Sequence, residues 1–75
     1  MPKTILVIDD DDLIRALVVR ALERAGYAVV TAGAGPSGID LFRSSNPSLI
    51  VLDIAMPDMT GFEVASTIRT IEASE

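Results

Sequence analysis

The sequence has no cysteine and no histidine among its 75 residues, and Lys3 is its only lysine. Without cysteine, neither a disulfide framework nor a thiolate metal site can form. Without histidine, the chain lacks the commonest general base and the commonest metal ligand of proteins. These absences exclude the most familiar types of catalytic and metal-binding site.

Positive charge is also scarce, since six basic residues stand against eleven acidic ones and the net charge is −5. Binding to a nucleic-acid backbone needs lysine and arginine, and the scattered basic residues form no patch. The apolar run near the N-terminus is too short for a signal peptide or a membrane span. We therefore expect a cytoplasmic protein with no membrane partner and no direct nucleic-acid partner.

The length predicts one small domain, residues 1–75, and not two. A chain of this size buries only roughly 60% of its unfolded surface, so its stability is expected to be marginal. The composition is nevertheless 49% hydrophobic, which is typical of a folded, globular protein. So much apolar material on a short chain indicates that part of it is buried against a partner.

Apolar runs alternate with helical patterns along the chain. The runs are continuous, as expected for strands covered on both faces. The predicted elements are strands over Thr4–Ile8, Tyr27–Thr31 and Leu49–Leu52, and helices over Leu13–Ala25, over Pro36–Ser44 and from Gly61 onward. With right-handed crossovers, this order predicts an α/β fold: a three-stranded parallel sheet in the order 2-1-3 with helices on both faces.

The spacing of apolar residues predicts which helix faces are buried. In the first helix, four residues at a spacing of four form one stripe, Leu13, Leu17, Ala21 and Ala25, and three further apolar residues lie beside it, Ile14, Val18 and Leu22. In the third helix, the predicted buried face comprises Phe62, Ala65, Ile68 and Ile71. Thr60 and Glu63 have the spacing of a capping box at the start of that helix.

Residues 28–39, AVVTAGAGPSGI, contain three glycines in the order GxGxxG, and Asp53 follows Gly33 after twenty residues. This pattern permits an alternative hypothesis, a dinucleotide-binding βαβ unit. The helix after the glycines is short for that unit, and nearby negative charge would repel a pyrophosphate. We expect the glycines to serve a tight strand-to-helix turn instead.

Four carboxylates follow the first strand directly, in the stretch ILVIDDDD at residues 5–12. One interpretation is helix capping, with Asp11 or Asp12 at the N-cap. The other is a hard-cation site, because Mg²⁺ prefers carboxylate oxygens and neighbouring carboxylates repel each other without a cation. The motif alone leaves both interpretations open.

Asp53 adds a second acidic position, because it ends the third strand as Asp9 and Asp10 end the first. Ligands of open parallel sheets bind beyond the carboxyl ends of the strands. If the first and third strands are neighbours, three carboxylates converge and a divalent cation is expected among them. The metal would offset their repulsion and leave one carboxylate oxygen free to act as a nucleophile.

Two motifs in register resemble the response-regulator receiver domain of two-component signalling, the CheY-like family. They are ILVIDDDD, with Asp9 and Asp10, and IVLDIAMPDMTGFEV, with Asp53, Met56-Pro57 and Gly61. The resemblance covers essentially the whole chain. It implies a flavodoxin-like fold and a phosphorelay signalling module, which is not an enzyme and transfers a phosphoryl group to itself at most.

The resemblance also implies residue roles. Asp53 corresponds to the phosphoacceptor, which receives a phosphoryl group from a sensor histidine kinase or a phosphotransfer protein. Asp10 corresponds to a direct Mg²⁺ (or Mn²⁺) ligand, Asp9 to its companion, and the backbone carbonyl of Ala55 to the third protein ligand. Met56-Pro57 and Gly61 would shape the loop into the third helix.

The sequence departs from the family pattern after its third helix. Receiver domains have five strands, and the fourth and fifth supply a Ser or Thr and a Lys to the site. The 75 residues contain neither strand, so we expect a truncated receiver, half of the flavodoxin-like fold, with impaired phosphorylation. The third strand would keep a bare edge, which predicts a homodimer. An engineered or split half-fold with a purely structural or assembly role is the alternative.

Overall fold

Three strands and three helices alternate in the computed structural model, which describes residues 2–54 and 56–74. They are β1 Thr4–Ile8, α1 Asp12–Arg24, β2 Ala28–Ala32, α2 Gly35–Ser45, β3 Leu49–Leu52 and α3 Gly61–Ser74. The strands are parallel and lie in the order β2-β1-β3. The predicted fold class and strand order are therefore confirmed.

Three elements differ from the prediction by one residue at each end: α1 begins and ends earlier, β2 begins and ends later, and α2 is longer at both ends. The backbone N–H of Tyr27 donates to the carbonyl of Leu22 and so belongs to the end of α1. The N–H of Ala28 donates to the carbonyl of Lys3, which starts the ladder with β1. Gly26 makes this change of direction possible, because its φ of +97° is one that residues with a Cβ rarely adopt.

Side chains cap two of the helices as the sequence predicts. Asp11 is the N-cap of α1, and its Oδ1 accepts hydrogen bonds from the N–H groups of Leu13 and Ile14, both at 3.0 Å. At α3, the N–H of Thr60 donates to Glu63 Oε1 at 3.1 Å, and the N–H of Glu63 donates to Thr60 Oγ1 at 3.2 Å. The predicted capping box is thus formed.

The centre of the core is β1, whose residues Ile5 to Ile8 are all buried. On one face of the sheet, Leu6 and Ile8 pack in a cluster with Ala32 of β2, with Met56, and with Val64 and Ile68 of α3. The helices α2 and α3 cover this face, and α1 packs on β1 and β2 from the other. The middle strand is therefore covered on both sides, as its continuous apolar run predicts.

The predicted apolar pattern of α1 is only partly right, because its main stripe is exposed whereas Val18 and Leu22 beside that stripe are half-buried. Leu13 and Leu17 are 69% and 59% exposed, and Ala21 is also exposed. The half-buried residues of the helix lie on the side that faces the sheet: Arg15, Val18, Val19 and Leu22. The first half of α1 is apolar over most of its circumference, so its spacing cannot select the side that meets the sheet. No helix in the described part of the chain is both long and apolar enough to cross a membrane.

The predicted face of α3 is only partly right. Ile68 and Ile71 are buried as expected, but Phe62 is 72% exposed. Val64, which the prediction omitted, is completely buried. Helical geometry explains why Val64 and not Phe62 is buried, because Val64, Ile68 and Ile71 follow each other at spacings of four and three along one face. Phe62 lies two positions from Val64 and points away from that face.

Gly38 brings α2 close to the sheet, and we expect Gly38→Ala to destabilise the protein. An added Cβ would lie 2.5 Å from Ile8 Cδ1, and Ile8 is fully buried and has no room to move. Overpacking outweighs the better helix propensity of alanine, so the free energy of unfolding should fall by roughly 1–2 kcal/mol. Urea denaturation measures it.

The matched control is Asp40→Ala, an exposed position on the same helix, which should change the free energy of unfolding by less than about 0.5 kcal/mol. A Gly38→Ala protein that is more stable than the wild type would show that α2 does not need this close approach.

Candidate metal centre

The acidic residues lie where two neighbouring strands end. The N–H of Asp53 donates to the carbonyl of Ile8 at 2.9 Å, which continues the pairing of β3 with β1 by one residue. The N–H of Asp9 donates to the carbonyl of Ala32 at 3.1 Å and does the same between β1 and β2. Parallel register therefore brings Asp9, Asp10 and Asp53 to the same edge of the sheet.

The three carboxylates converge there. Asp9, Asp10 and Asp53 each offer a carboxylate oxygen, and these oxygens lie within 4.8 Å of one another. Asp9 and Asp53 are half-buried and Asp10 is exposed, so the cluster opens to solvent on one side. The predicted convergence is what the structure has, and the roles assigned to the residues stay predictions.

The cluster disfavours full ionisation. Desolvation, a hydrogen bond with the Asp53 side chain and the charges of Asp53 and Asp9 together raise the pKa of Asp10 above its ordinary value. Two carboxyl groups can share a hydrogen bond only when one of them keeps a proton. A divalent cation would relieve the same repulsion without that proton. Hard oxygen donors in this arrangement suit Mg²⁺ or Mn²⁺.

The four consecutive aspartates divide into two groups. Asp11 caps α1, and Asp12 Oδ1 accepts a hydrogen bond from Arg15 Nη2 at 2.6 Å. Asp9 Oδ1 accepts from the N–H of Asp11 at 2.9 Å, and Asp10 contacts Asp53. Capping therefore accounts for Asp11 but leaves Asp9 and Asp10 in the cluster with Asp53.

The loop between β3 and α3 folds back against the end of β3. Ala55, predicted to supply a backbone carbonyl ligand, lies outside the described residues. The N–H of Gly61 donates to the carbonyl of Ile54 at 2.8 Å, and a Cβ on Gly61 would overlap the carbonyl oxygen of Asp53. Only glycine allows this contact. Met56 in the same loop is buried in the core and so fixes the loop against it.

Packing accounts for two of the three glycines that suggested a dinucleotide site. A Cβ on Gly35 would lie 2.8 Å from Met59 Cβ and 3.1 Å from Val64 Cγ2. The Cβ of an alanine at 38 would overlap Ile8. These glycines let α2 approach α3 and the sheet closely, and the same spacing would serve any short βαβ unit.

Sequence reasoning missed Arg15, whose side chain reaches the acidic loop. Its Nη1 donates to the backbone carbonyl of Asp9 at 2.7 Å. The available signal was its spacing of three from Asp12, which favours an ion pair on one helix face. That spacing does not indicate the second contact with Asp9, because the backbone of the loop has no sequence pattern.

Comparisons with known proteins agree on one family. Residues 5–74 match the model of the response regulator receiver domain. The transcriptional regulatory protein AfsQ1 from Streptomyces coelicolor is 46% identical over 66 residues, which are 88% of this chain and 29% of that protein. The chain spans about 30% of the length of the curated relatives that it matches.

Solved structures give the same answer. Chemotaxis protein CheY4 from Vibrio cholerae has a TM-score of 0.93 and 33% identity, over 96% of this chain and 60% of that one. TrrA from Thermotoga maritima, solved with Mg²⁺-BeF, has a TM-score of 0.90 and 42% identity, and the match covers 95% of this chain and 62% of that one. TrrA in complex with histidine kinase ThkA has a TM-score of 0.85 and 44% identity, and the match covers 91% of this chain and 59% of that one.

Similarity extends over nearly the whole chain, in sequence and in backbone fold alike, and both kinds point to proteins of one type. This chain belongs to the response regulator receiver domain family.

Proposed function

We propose that Asp53 is the phosphoacceptor of this chain in two-component signal transduction. The observation that carries the proposal is the position of Asp53, whose carboxylate lies at the end of β3 within 4.8 Å of the oxygens of Asp9 and Asp10. In phosphoryl transfer, an Asp53 oxygen forms a bond to phosphorus while the bond from phosphorus to the donor breaks. Such a step needs positioning and charge neutralisation more than acid–base chemistry, which suits a chain without histidine.

The metal of this site is Mg²⁺ or Mn²⁺, held by Asp9, Asp10, Asp53 and the backbone carbonyl of Ala55. The three carboxylates and the raised pKa of Asp10 support this assignment. The relative TrrA was solved with Mg²⁺-BeF. When bound, the cation would neutralise the carboxylates and the incoming phosphoryl oxygens. An Asp53 oxygen would then be available to attack the phosphorus.

The phosphodonor is a sensor histidine kinase or a phosphotransfer protein. The complex of TrrA with histidine kinase ThkA supports this partner class. The chain acts as a signalling module, and its only chemistry is its own phosphorylation. The location is the cytoplasm, since relatives such as AfsQ1 are named as transcriptional regulators and bacterial transcription takes place there.

We propose that the receiver unit of residues 1–75, taken on its own, is phosphorylated poorly. Its sequence contains no fourth or fifth strand to supply a Ser or Thr and a Lys beside the acceptor. Lys3 cannot substitute, because it precedes β1 and so lies roughly 16 Å from the carboxyl end of the sheet. The phosphoryl oxygens would therefore lack the cationic clamp that stabilises developing charge.

We also propose a second role for this chain, that of a half-fold that associates with a second copy of itself. Among the described strands, β3 pairs with β1 alone and its outer edge is unpaired. Leu49 on that strand is 57% exposed. An apolar edge strand is a template for pairing with another chain, so a homodimer joined through β3 is the expected assembly.

The acceptor assignment predicts weak labelling of the 75-residue chain by a small-molecule phosphodonor with Mg²⁺. We expect a rate about a hundredfold below that of a complete receiver domain, because one stabilising cation is worth about that much. Phosphoprotein mass spectrometry should place the label on Asp53, and Asp53→Asn should remove it.

The control for this labelling is Asp58→Asn, an exposed carboxylate in the loop between β3 and α3. It should keep the label. Equal labelling of Asp53→Asn and wild type would refute the acceptor assignment, and labelling as fast as that of a complete receiver would refute the impairment.

Titration with Mg²⁺ tests the metal site. We expect the backbone amide signals of Asp9, Asp10 and residues 53–56 to shift in the NMR spectrum at millimolar Mg²⁺, because these residues surround the ion. Asp10→Asn should lose the response, since it removes a ligand, whereas Asp40→Asn on α2 should keep it. Unchanged spectra of the wild type at millimolar metal would exclude the site.

Sedimentation tests the homodimer. At micromolar concentration we expect the mass of two chains, and we expect Leu49→Lys to give the mass of one, because a charge on an edge strand blocks pairing. Phe62→Lys is the control, since it replaces an even more exposed apolar side chain, on α3, and should leave the dimer intact. A single-chain mass for the wild type contradicts the proposal.

A further inference from the structure

Arg15 stands apart from the other basic residues. All six basic residues lie in the described ranges, and the other five are exposed: Lys3, Arg20, Arg24, Arg43 and Arg69. The Arg15 side chain is only 22% exposed. Its two terminal nitrogens have separate partners, since Nη1 donates to the Asp9 carbonyl at 2.7 Å and Nη2 donates to Asp12 Oδ1 at 2.6 Å. The guanidinium thus bridges the first turn of α1 and the loop that carries the acidic pair.

The bond to Asp9 acts on the backbone between two of the carboxylates. The N–H of Asp9 is bonded to the carbonyl of Ala32 on β2, and its C=O is bonded to Arg15. The carbonyl belongs to the peptide that joins Asp9 to Asp10, so its orientation sets the direction in which both side chains leave the loop. A hydrogen bond from a charged donor is shorter and stronger than a neutral one, which makes Arg15 an effective anchor.

Gly33 supplies the space that this anchor needs. A Cβ at Gly33 would lie 3.2 Å from Arg15 Nη1 and 3.8 Å from its Cζ. The backbone of Gly33 is not in the left-handed region, whereas that of Gly26 is. The conformation of the chain therefore does not require glycine at 33, whereas a Cβ there would push the guanidinium aside by a few tenths of an ångström. The contact with Arg15 involves the first glycine of GxGxxG, which does not take part in the packing of α2.

A simpler role for Arg15 is the ion pair with Asp12, three residues away on the same helix. Asp12 is 90% exposed, and ion pairs between solvent-exposed side chains contribute little to stability. An ion pair alone would also leave the bond to the Asp9 carbonyl and the glycine at 33 without an explanation.

We propose that Arg15 is a positioning residue for the metal centre: it holds the Asp9–Asp10 peptide so that both carboxylates meet Asp53, and Gly33 makes room for it. This inference rests on the proposed Mg²⁺ site. It predicts that loss of Arg15 weakens Mg²⁺ binding, whereas loss of the positive charge alone would strengthen it. Removing a cation near a metal site strengthens metal binding through space, whereas removing an anchor of the ligands weakens it.

The experiment compares Mg²⁺ affinity across variants of the 75-residue chain by NMR titration. Arg15→Ala should weaken binding about tenfold, the low end of what is lost with a residue that orients metal ligands. Arg15→Lys should recover part of the loss, because lysine can donate to one acceptor but lacks the fork that spans two. Arg20→Ala removes an equal charge from the exposed side of α1 and should bind as the wild type does.

Two further variants separate the contacts of Arg15. Asp12→Ala removes the ion pair but keeps the bond to Asp9, so the affinity should stay within about twofold. Gly33→Ala leaves all hydrogen-bonding groups in place but crowds Nη1, so it should weaken binding less than Arg15→Ala does. In the Arg15→Ala background, Gly33→Ala should have no further effect, because the group that it displaces is gone.

A second readout needs no metal. In metal-free protein, the amide signal of Asp10, which belongs to the same peptide as the Asp9 carbonyl, should shift in Arg15→Ala and in Gly33→Ala, and shift much less in Asp12→Ala. Thermal denaturation identifies any variant that fails to fold, and Gly33→Ala then carries the test. Arg15→Ala that binds Mg²⁺ as tightly as the wild type, or more tightly, overturns the inference alone. A wild type that does not bind Mg²⁺ overturns the metal site and the inference together.

Discussion

The pairing of β3 with β1 is the constraint on which the acidic cluster depends. Because the two strands are parallel and in register from Ile5 with Leu49 to Ile8 with Leu52, their carboxyl ends coincide. The ladder extends by one bond to Asp53, and that bond places a third carboxylate beside Asp9 and Asp10. Like charges repel at this separation, and the apolar packing that holds β1 and β3 together offsets this repulsion.

Close backbone contacts hold the rest of the site around this pairing. At Gly61, the start of α3 lies against the backbone that follows Asp53, and at Gly38, α2 lies against Ile8. Each contact excludes even one additional carbon atom. The glycines therefore connect the acidic cluster to the core, because the same helices that bury Ile8 and Val64 also set the path of the loop after Asp53.

The two faces of the sheet are covered unequally. The helices α2 and α3 bury one face with a shared cluster that includes Leu6, whereas α1 covers the other face alone and leaves Leu13 and Leu17 exposed. Because of this unequal coverage, part of the apolar content of the sequence lies on the solvent-exposed surface of α1 and not in the core.

Local patterns in the sequence were sufficient for the element order, the strand limits of β1 and β3 and the capping box of Thr60, and they limited the N-cap of α1 to Asp11 or Asp12, because each depends on neighbouring residues. The convergence of three carboxylates also followed, since parallel strands share their ends. The tertiary structure alone decided which side of α1 meets the sheet and that Phe62 points outward, because an apolar helix has several sides that could be buried. It also decided the contact of Arg15 with the Asp9 carbonyl across Gly33, because three separate segments must pack together before that contact exists.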